Sequence, residues 1–139
     1  MLMAVFALAT QGGSLEFDDI SSKPIMLGAP SRSQDNLKDA INMILTVPEL
    51  GDKMMEVQSI LSSAKLLKST SQVVAGINHV YLFQTSRGFE CMRIYEPLFD
   101  TCEVSRYARG IDQGKVLREC NSFNGLIKSA DNVKAFLTN

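Results

Sequence analysis

Tryptophan is absent from these 139 residues, and histidine occurs once, as His79. A single histidine leaves no His-based metal cluster to build, and no Cys-x-x-Cys spacing occurs. No apolar run approaches the length needed to span a membrane, so neither a transmembrane helix nor a membrane partner is predicted. Charge of one sign is missing too: 14 Lys and Arg stand against 15 Asp and Glu, a net charge of −1 with a pI near 5.8. That balance lacks the basic footprint of a nucleic-acid partner. Carboxylates are scattered singly apart from Asp18-Asp19, so no paired acid/base device is visible. His79 and Cys91 fall on segments predicted to pair as strands, which leaves a contact open to them. A thiol catalyst also needs an orienting third group, and a lone strand histidine is more often a packing or surface residue. The chain is therefore predicted to be no enzyme, with no metal and no cofactor.

What is present is apolar content, 45% of residues, sufficient for the core of one domain. The most informative stretch is Gln72-Val73-Val74-Ala75-Gly76, followed by Ile77 to Phe83. Val80 to Phe83 are β-branched and aromatic types suited to a strand, and Leu66 to Ser71 can form another extended segment. Small residues and one glycine lie between them, where a chain reversal is sterically cheap. The stretch predicts a β-hairpin whose tip carries small apolar groups and one amide. Such a tip suits entry into a narrow cleft, with Ala75 and Gly76 letting the backbone approach a partner closely.

The same five residues are similar to the central motif of the cystatins, inhibitors of papain-like cysteine proteases. Two further segments strengthen the resemblance. Met26-Leu27-Gly28-Ala29-Pro30 is similar to the apolar-apolar-Gly-small-Pro segment that precedes the domain in secreted cystatins, at a matching distance upstream. Arg93-Ile94-Tyr95-Glu96-Pro97-Leu98 falls where cystatins carry a second hairpin loop with Pro-Trp; here Leu98 stands in the Trp position. The resemblance covers residues 24–108. It implies a reversible inhibitor of papain-like (cathepsin-type) cysteine proteases, acting as a monomer, with Met26, Leu27 and Gly28 on an arm, Gln72, Val73, Val74, Ala75 and Gly76 on the first tip, and Pro97 and Leu98 on the second. The alternative is a cystatin-fold interaction module without inhibitory activity, which the missing Trp allows. Some cystatins also carry an asparagine-dependent site against legumain between helix and strand. No Asn occurs between Asn42 and Asn78, so that activity is not carried over.

The remaining segments fill in the architecture. Residues 1–23 divide into an apolar start ending Ala7-Leu8-Ala9, which fits the tail of a signal peptide or else a disordered apolar N-terminus, and a Gly/Ser-rich stretch without period. Secretion is the expected localisation, with a cytoplasmic protein as the alternative. From Ser33 or Asp35 onward, Leu37, Ala40, Ile41, Ile44 and Leu45 follow helical spacing and predict a core-facing stripe. Pro48 should end or kink that helix, with a second piece from Lys53 to Leu61. Phe89 to Tyr95 alternates as a strand, Pro97 marks a hairpin tip, and Cys102 to Tyr107 returns. A hairpin centred on Glu96-Pro97 sets Cys91 opposite Cys102, within disulfide reach if that pair is of the non-hydrogen-bonded kind. Three reduced thiols are the other possibility, and with three cysteines one is odd in any case. Residues 109–139 lie outside the resemblance; Lys115 to Glu119 predicts a strand, Asn124-Gly125 a turn and Ser129 to Leu137 a helix. The fold class expected is α+β, cystatin-like: one main helix packed on a curved antiparallel sheet of about four strands.

Overall fold

The computed structural model describes residues 30–32, 35–122 and 128–138. The expected signal remnant, Met26, Leu27, Gly28 and the Asn124-Gly125 turn lie outside them. A short strand β1 (Pro30–Arg32) precedes three helices, α1 (Leu37–Leu45), α2 (Pro48–Gly51) and α3 (Met54–Leu61). Four long strands follow: β2 (Lys65–Val74), β3 (Gly76–Thr85), β4 (Gly88–Glu96) and β5 (Glu103–Gly110). Helices α4 (Gln113–Asn121) and α5 (Ser129–Leu137) complete the described chain. The sheet runs in sequence order, β1-β2-β3-β4-β5, with every neighbour antiparallel. The fold class is α+β, an open antiparallel sheet with helices packed on it.

In place of one main helix the segment forms three short ones, and the cause is local. Asn36 caps α1 by accepting from the Asp39 amide at 2.9 Å, and Asp39 accepts in return from the Asn36 amide at 3.4 Å. The stripe faces the core as its spacing predicts: Ala40 and Ile44 are buried, with Leu37, Ile41 and Leu45 packed at the margin. Pro48 has no amide to continue the ladder and instead opens α2 at its first turn. Val47, Leu50, Val57 and Leu61 carry the apolar face through the breaks, so the interruptions bend the helical layer without exposing it.

Strand alternation sorts side chains onto two faces. Tyr81, Phe83, Met92, Ile94 and Val104 lie under α1–α3 and α5. Leu82, Cys91 and Ala108 lie on the opposite face under Val116 and Cys120 of α4. Residues 115–119 are thus helical where a strand was predicted. Asp112 caps the segment by accepting from the Lys115 amide at 3.1 Å, and Val116 and Cys120 recur at the i, i+4 spacing of a buried helical face. Five residues with two apolar positions are too few to separate that period from an alternating one. The helix expected from Ser129 to Leu137 forms.

The cysteine pairing also differs. Cys91 is bonded to Cys120, with Cα atoms 5.9 Å apart, and Cys102 is the free thiol. The β4–β5 connection runs from Pro97 to Cys102 instead of turning tightly at Glu96-Pro97, and a bulge intervenes between Arg93 and Ile94. Cys91 consequently faces Ala108, and Cys102 precedes β5 and packs against the main core. The disulfide fastens α4 to the sheet face that a bare helix-on-sheet fold leaves open.

At the β3–β4 turn a buried carboxylate ties three elements together. Glu90 is 1% exposed and accepts from Arg87 Nε at 3.0 Å, Arg87 Nη2 at 2.5 Å, Thr85 Oγ1 at 2.5 Å and Tyr107 Oη at 2.5 Å. Burial pushes the Glu90 carboxyl up, and the donors from Arg87, Thr85 and Tyr107 together outweigh it, holding its pKa below the ordinary glutamate value. Burial, and then the bond to Glu90, push the Tyr107 phenol up. The same Arg87 reaches the end of α5, donating to the Phe136 carbonyl at 2.9 Å and the Thr138 carbonyl at 3.3 Å, and its guanidinium lies 5.6 Å from the Phe136 ring centroid.

Candidate functional site, the paired hairpin tips

β2 and β3 stay paired to their last residues: Gln72 faces Asn78, Val73 faces Ile77 and Val74 faces Gly76, leaving Ala75 alone at the apex. So narrow a reversal requires unusual backbone at one position, and Gly76 supplies it with φ of +119°. Val73 is half-buried and Val74 is 37% exposed, so neither valine belongs to the core. Gln72 sits inside the strand, between Pro30 of β1 and Asn78 of β3. β1 therefore enters the sheet beside this tip.

The second loop lies against the first. β4 ends at Glu96, directly opposite Ile77 at the start of β3, so both connections leave the same end of the sheet. A Cβ on Gly76 would lie 2.5 Å from the Glu96 carbonyl oxygen, and 3.1 Å from both the Pro97 Cα and the Tyr95 Cε1. Gly76 is itself buried. Its small size thus serves the approach of the neighbouring loop, where the sequence suggested room for a partner. The Tyr95 hydroxyl reaches across and donates to the Ala75 carbonyl. Below the loops, His79 Nε2 is 2.9 Å from Glu96 Oε1, and the His79 ring stacks parallel to Tyr81 at 6.3 Å between centroids. Tyr81 in turn donates to Asp35 Oδ2 at 2.9 Å; burial first, and then this bond, raise its pKa and keep the phenol protonated.

Beyond this bonded base the surface is apolar. Leu98 is 70% exposed and Phe99 98% exposed, whereas Pro97 is half-buried against the first tip. The loop closes locally, with the Thr101 amide donating to Asp100 Oδ1 at 2.7 Å. Leu98 and Phe99 do not fold back on the core, and no structural role in the described residues accounts for their display.

Of the residues singled out from sequence, Gln72, Val73, Val74, Ala75, Gly76, Pro97 and Leu98 gather at one end of the molecule. Cys91 and Cys102 do not pair. Nor do His79 and Cys91 meet: Cys91 is opposite Leu82 on the face under α4, whereas His79 is opposite Ile94 on the other face. Among the described residues no group of His, Cys, Asp or Glu is placed to hold a metal ion. The sequence gives no prominence to Tyr95, whose hydroxyl joins the two loops. Its place two residues before Pro97, on the strand face away from Ile94, was the available signal. Compared with models of known protein families and with characterised proteins, the chain matches none.

Proposed function

We propose that the chain is a reversible, non-covalent inhibitor of papain-like cysteine proteases, of cystatin type. The observation that carries this reading is the convergence of two tips distant in sequence, 72–76 and 97–99, on one end of a rigid sheet, with apolar side chains left exposed there. The first tip would enter the protease cleft at Val74 and Ala75, and Leu98 with Phe99 would rest on its rim. Met26, Leu27 and Gly28 would add an arm, since β1 joins the sheet at the same end. No scissile bond would be offered to the protease thiol in a productive geometry, so the complex would dissociate intact. Hairpin tips that are already ordered lose little conformational entropy on docking. Leu98 covers less area than the Trp of the family's loop, a deficit of about 1–2 kcal/mol that the neighbouring Phe99 would offset in part.

A monomer secreted into an oxidising compartment fits this reading, and the Cys91–Cys120 bond is compatible with such a setting. A second reading is a non-inhibitory interaction module of the same fold. The three-piece helical layer and the α4–α5 cover, both departures from a single helix on a sheet, favour it. Titration of papain and cathepsin L with the full chain decides between them. Inhibition at submicromolar concentration that is weakened by removing residues 1–27 supports the inhibitor. Absence of inhibition at ten micromolar with a folded protein overturns it in favour of the module.

A further inference from the structure

We propose that Tyr95 is a positioning residue that locks the Ala75–Gly76 peptide and so makes the two loops a single docking edge. The inference rests on the inhibitor reading only for its effect on binding. Ala75 lies at the apex of the first hairpin without a cross-strand partner, so its carbonyl is not held by the β2–β3 ladder. It belongs to the peptide that joins Ala75 to Gly76. Rotating such a peptide changes ψ of the first residue and φ of the second, and a glycine in the second position removes the usual Cβ penalty on that rotation. A tip of this composition would therefore flicker between two peptide orientations. Tyr95 opposes this on both sides of the peptide: its hydroxyl holds the Ala75 carbonyl, and its ring edge lies 3.1 Å from where a Gly76 Cβ would be.

The anchor is itself fixed. Tyr95 is opposite Asn78 on β3 and Glu103 on β5, a central-strand position flanked on both sides. Its neighbour Glu96 is held by His79, and Pro97 abuts Gly76. The orientation of the first tip is thereby referred to β4, the strand from which Leu98 and Phe99 project, and not to the β2–β3 ladder alone. A partner then meets both loops in one fixed relation, and the ordering cost of the tip falls before encounter rather than during it. Holding the bound conformation should act mainly on dissociation.

The test is Tyr95→Phe, which keeps the ring and removes only the hydroxyl, beside Tyr95→Ala, which removes both. Amide exchange of residues 74–76 in the free protein reads the lock without any protease. Stopped-flow dissociation from papain reads its use. For Tyr95→Phe we expect exchange at the tip and dissociation each about 2- to 10-fold faster, the range one hydrogen bond gives, with a fall of only a few degrees in the thermal midpoint and an unchanged association rate. Tyr95→Ala should lower the midpoint further, so that Phe restores most of the stability without restoring the slow dissociation. Unchanged tip exchange in Tyr95→Phe overturns the lock. Faster exchange with unchanged dissociation overturns its role in docking. A wild-type protein that fails to inhibit removes the docking role along with the inhibitor reading, while the exchange measurement still decides the lock.

Discussion

The two ends of the sheet are built on one device and finished in opposite ways. At each end a glycine with positive φ, Gly76 at +119° and Gly88 at +117°, lets a hairpin press against the backbone of a neighbouring strand. A Cβ on Gly76 would strike the Glu96 carbonyl at 2.5 Å, and one on Gly88 the Gly110 carbonyl at 2.7 Å. At the Gly88 end the surroundings are then closed by the Glu90–Arg87–Tyr107 network and the end of α5. At the Gly76 end they stop at bare Val74, Leu98 and Phe99. The closed end spends its polar groups on the fold itself, and the open end presents side chains whose removal the fold should not notice. Stability and recognition are therefore expected to respond to different mutations.

The largest effect should come from the closed end. Glu90→Ala leaves Arg87 and Tyr107 without their buried acceptor and should cost about 3–5 kcal/mol, read as a fall in urea midpoint. The pH dependence of the same carboxylate sharpens the point. Because its folded pKa is depressed, its contribution is complete above the unfolded value of about 4.3 and is lost as pH falls through the lower folded value. The gap in thermal midpoint between wild type and Glu90→Gln should accordingly narrow below about pH 4; a gap that stays constant to pH 2 would contradict the assignment.

Next in size is the Cys91–Cys120 bond, which closes a separation of 29 residues. Cys120→Ser should lower stability by about 2–4 kcal/mol, with Cys102→Ser nearly silent, and mass mapping of the oxidised chain should recover the 91–120 link. Gly76→Ala imposes both a Cβ clash and a disfavoured φ, at a cost of about 1–3 kcal/mol. Under the inhibitor reading it should also weaken protease inhibition, because it displaces the second loop from the first. The smallest stability change belongs to Phe99→Ala, within about 0.5 kcal/mol of wild type for so exposed a side chain. Under the inhibitor reading that same substitution should weaken binding to papain about tenfold, more than Leu98→Ala, since an aromatic anchor contributes the larger contact. A Phe99→Ala protein that loses stability and keeps its inhibition would reverse the comparison drawn between the two ends.

Much of this was legible along the chain because the signals are local. The stripe from Leu37 to Leu45, the break at Pro48, the alternation from Phe89 to Tyr95 and the turn at Gly76 each lie within one element and its immediate neighbours. What escaped depends on relations across the sheet. The register of β4 on β5 is set by a bulge after Arg93 and by the length of the 97–102 loop, neither of which has a strong residue signature, and the cysteine pairing follows from that register. Lys115 to Glu119 becomes helical through the Asp112 cap and the tether at Cys120. For the candidate site, the two motifs were visible and their adjacency was implied by the resemblance alone; the contact that joins them was not legible, since no spacing in sequence states that the Tyr95 hydroxyl falls on the Ala75 carbonyl.

The outer side of β5 bears on how the protein stays separate from its copies. Val104 offers its amide to Ser129 Oγ at 2.9 Å and its carbonyl to Asn132 Nδ2 at 2.9 Å, so two side chains of α5 occupy backbone positions that another strand would otherwise take. α5 thus acts as a stopper on the sheet margin. A version cut after Gly110 would lose that stopper together with the Val133 and Phe136 side chains of the core, and its bared margin should pair with that of another copy.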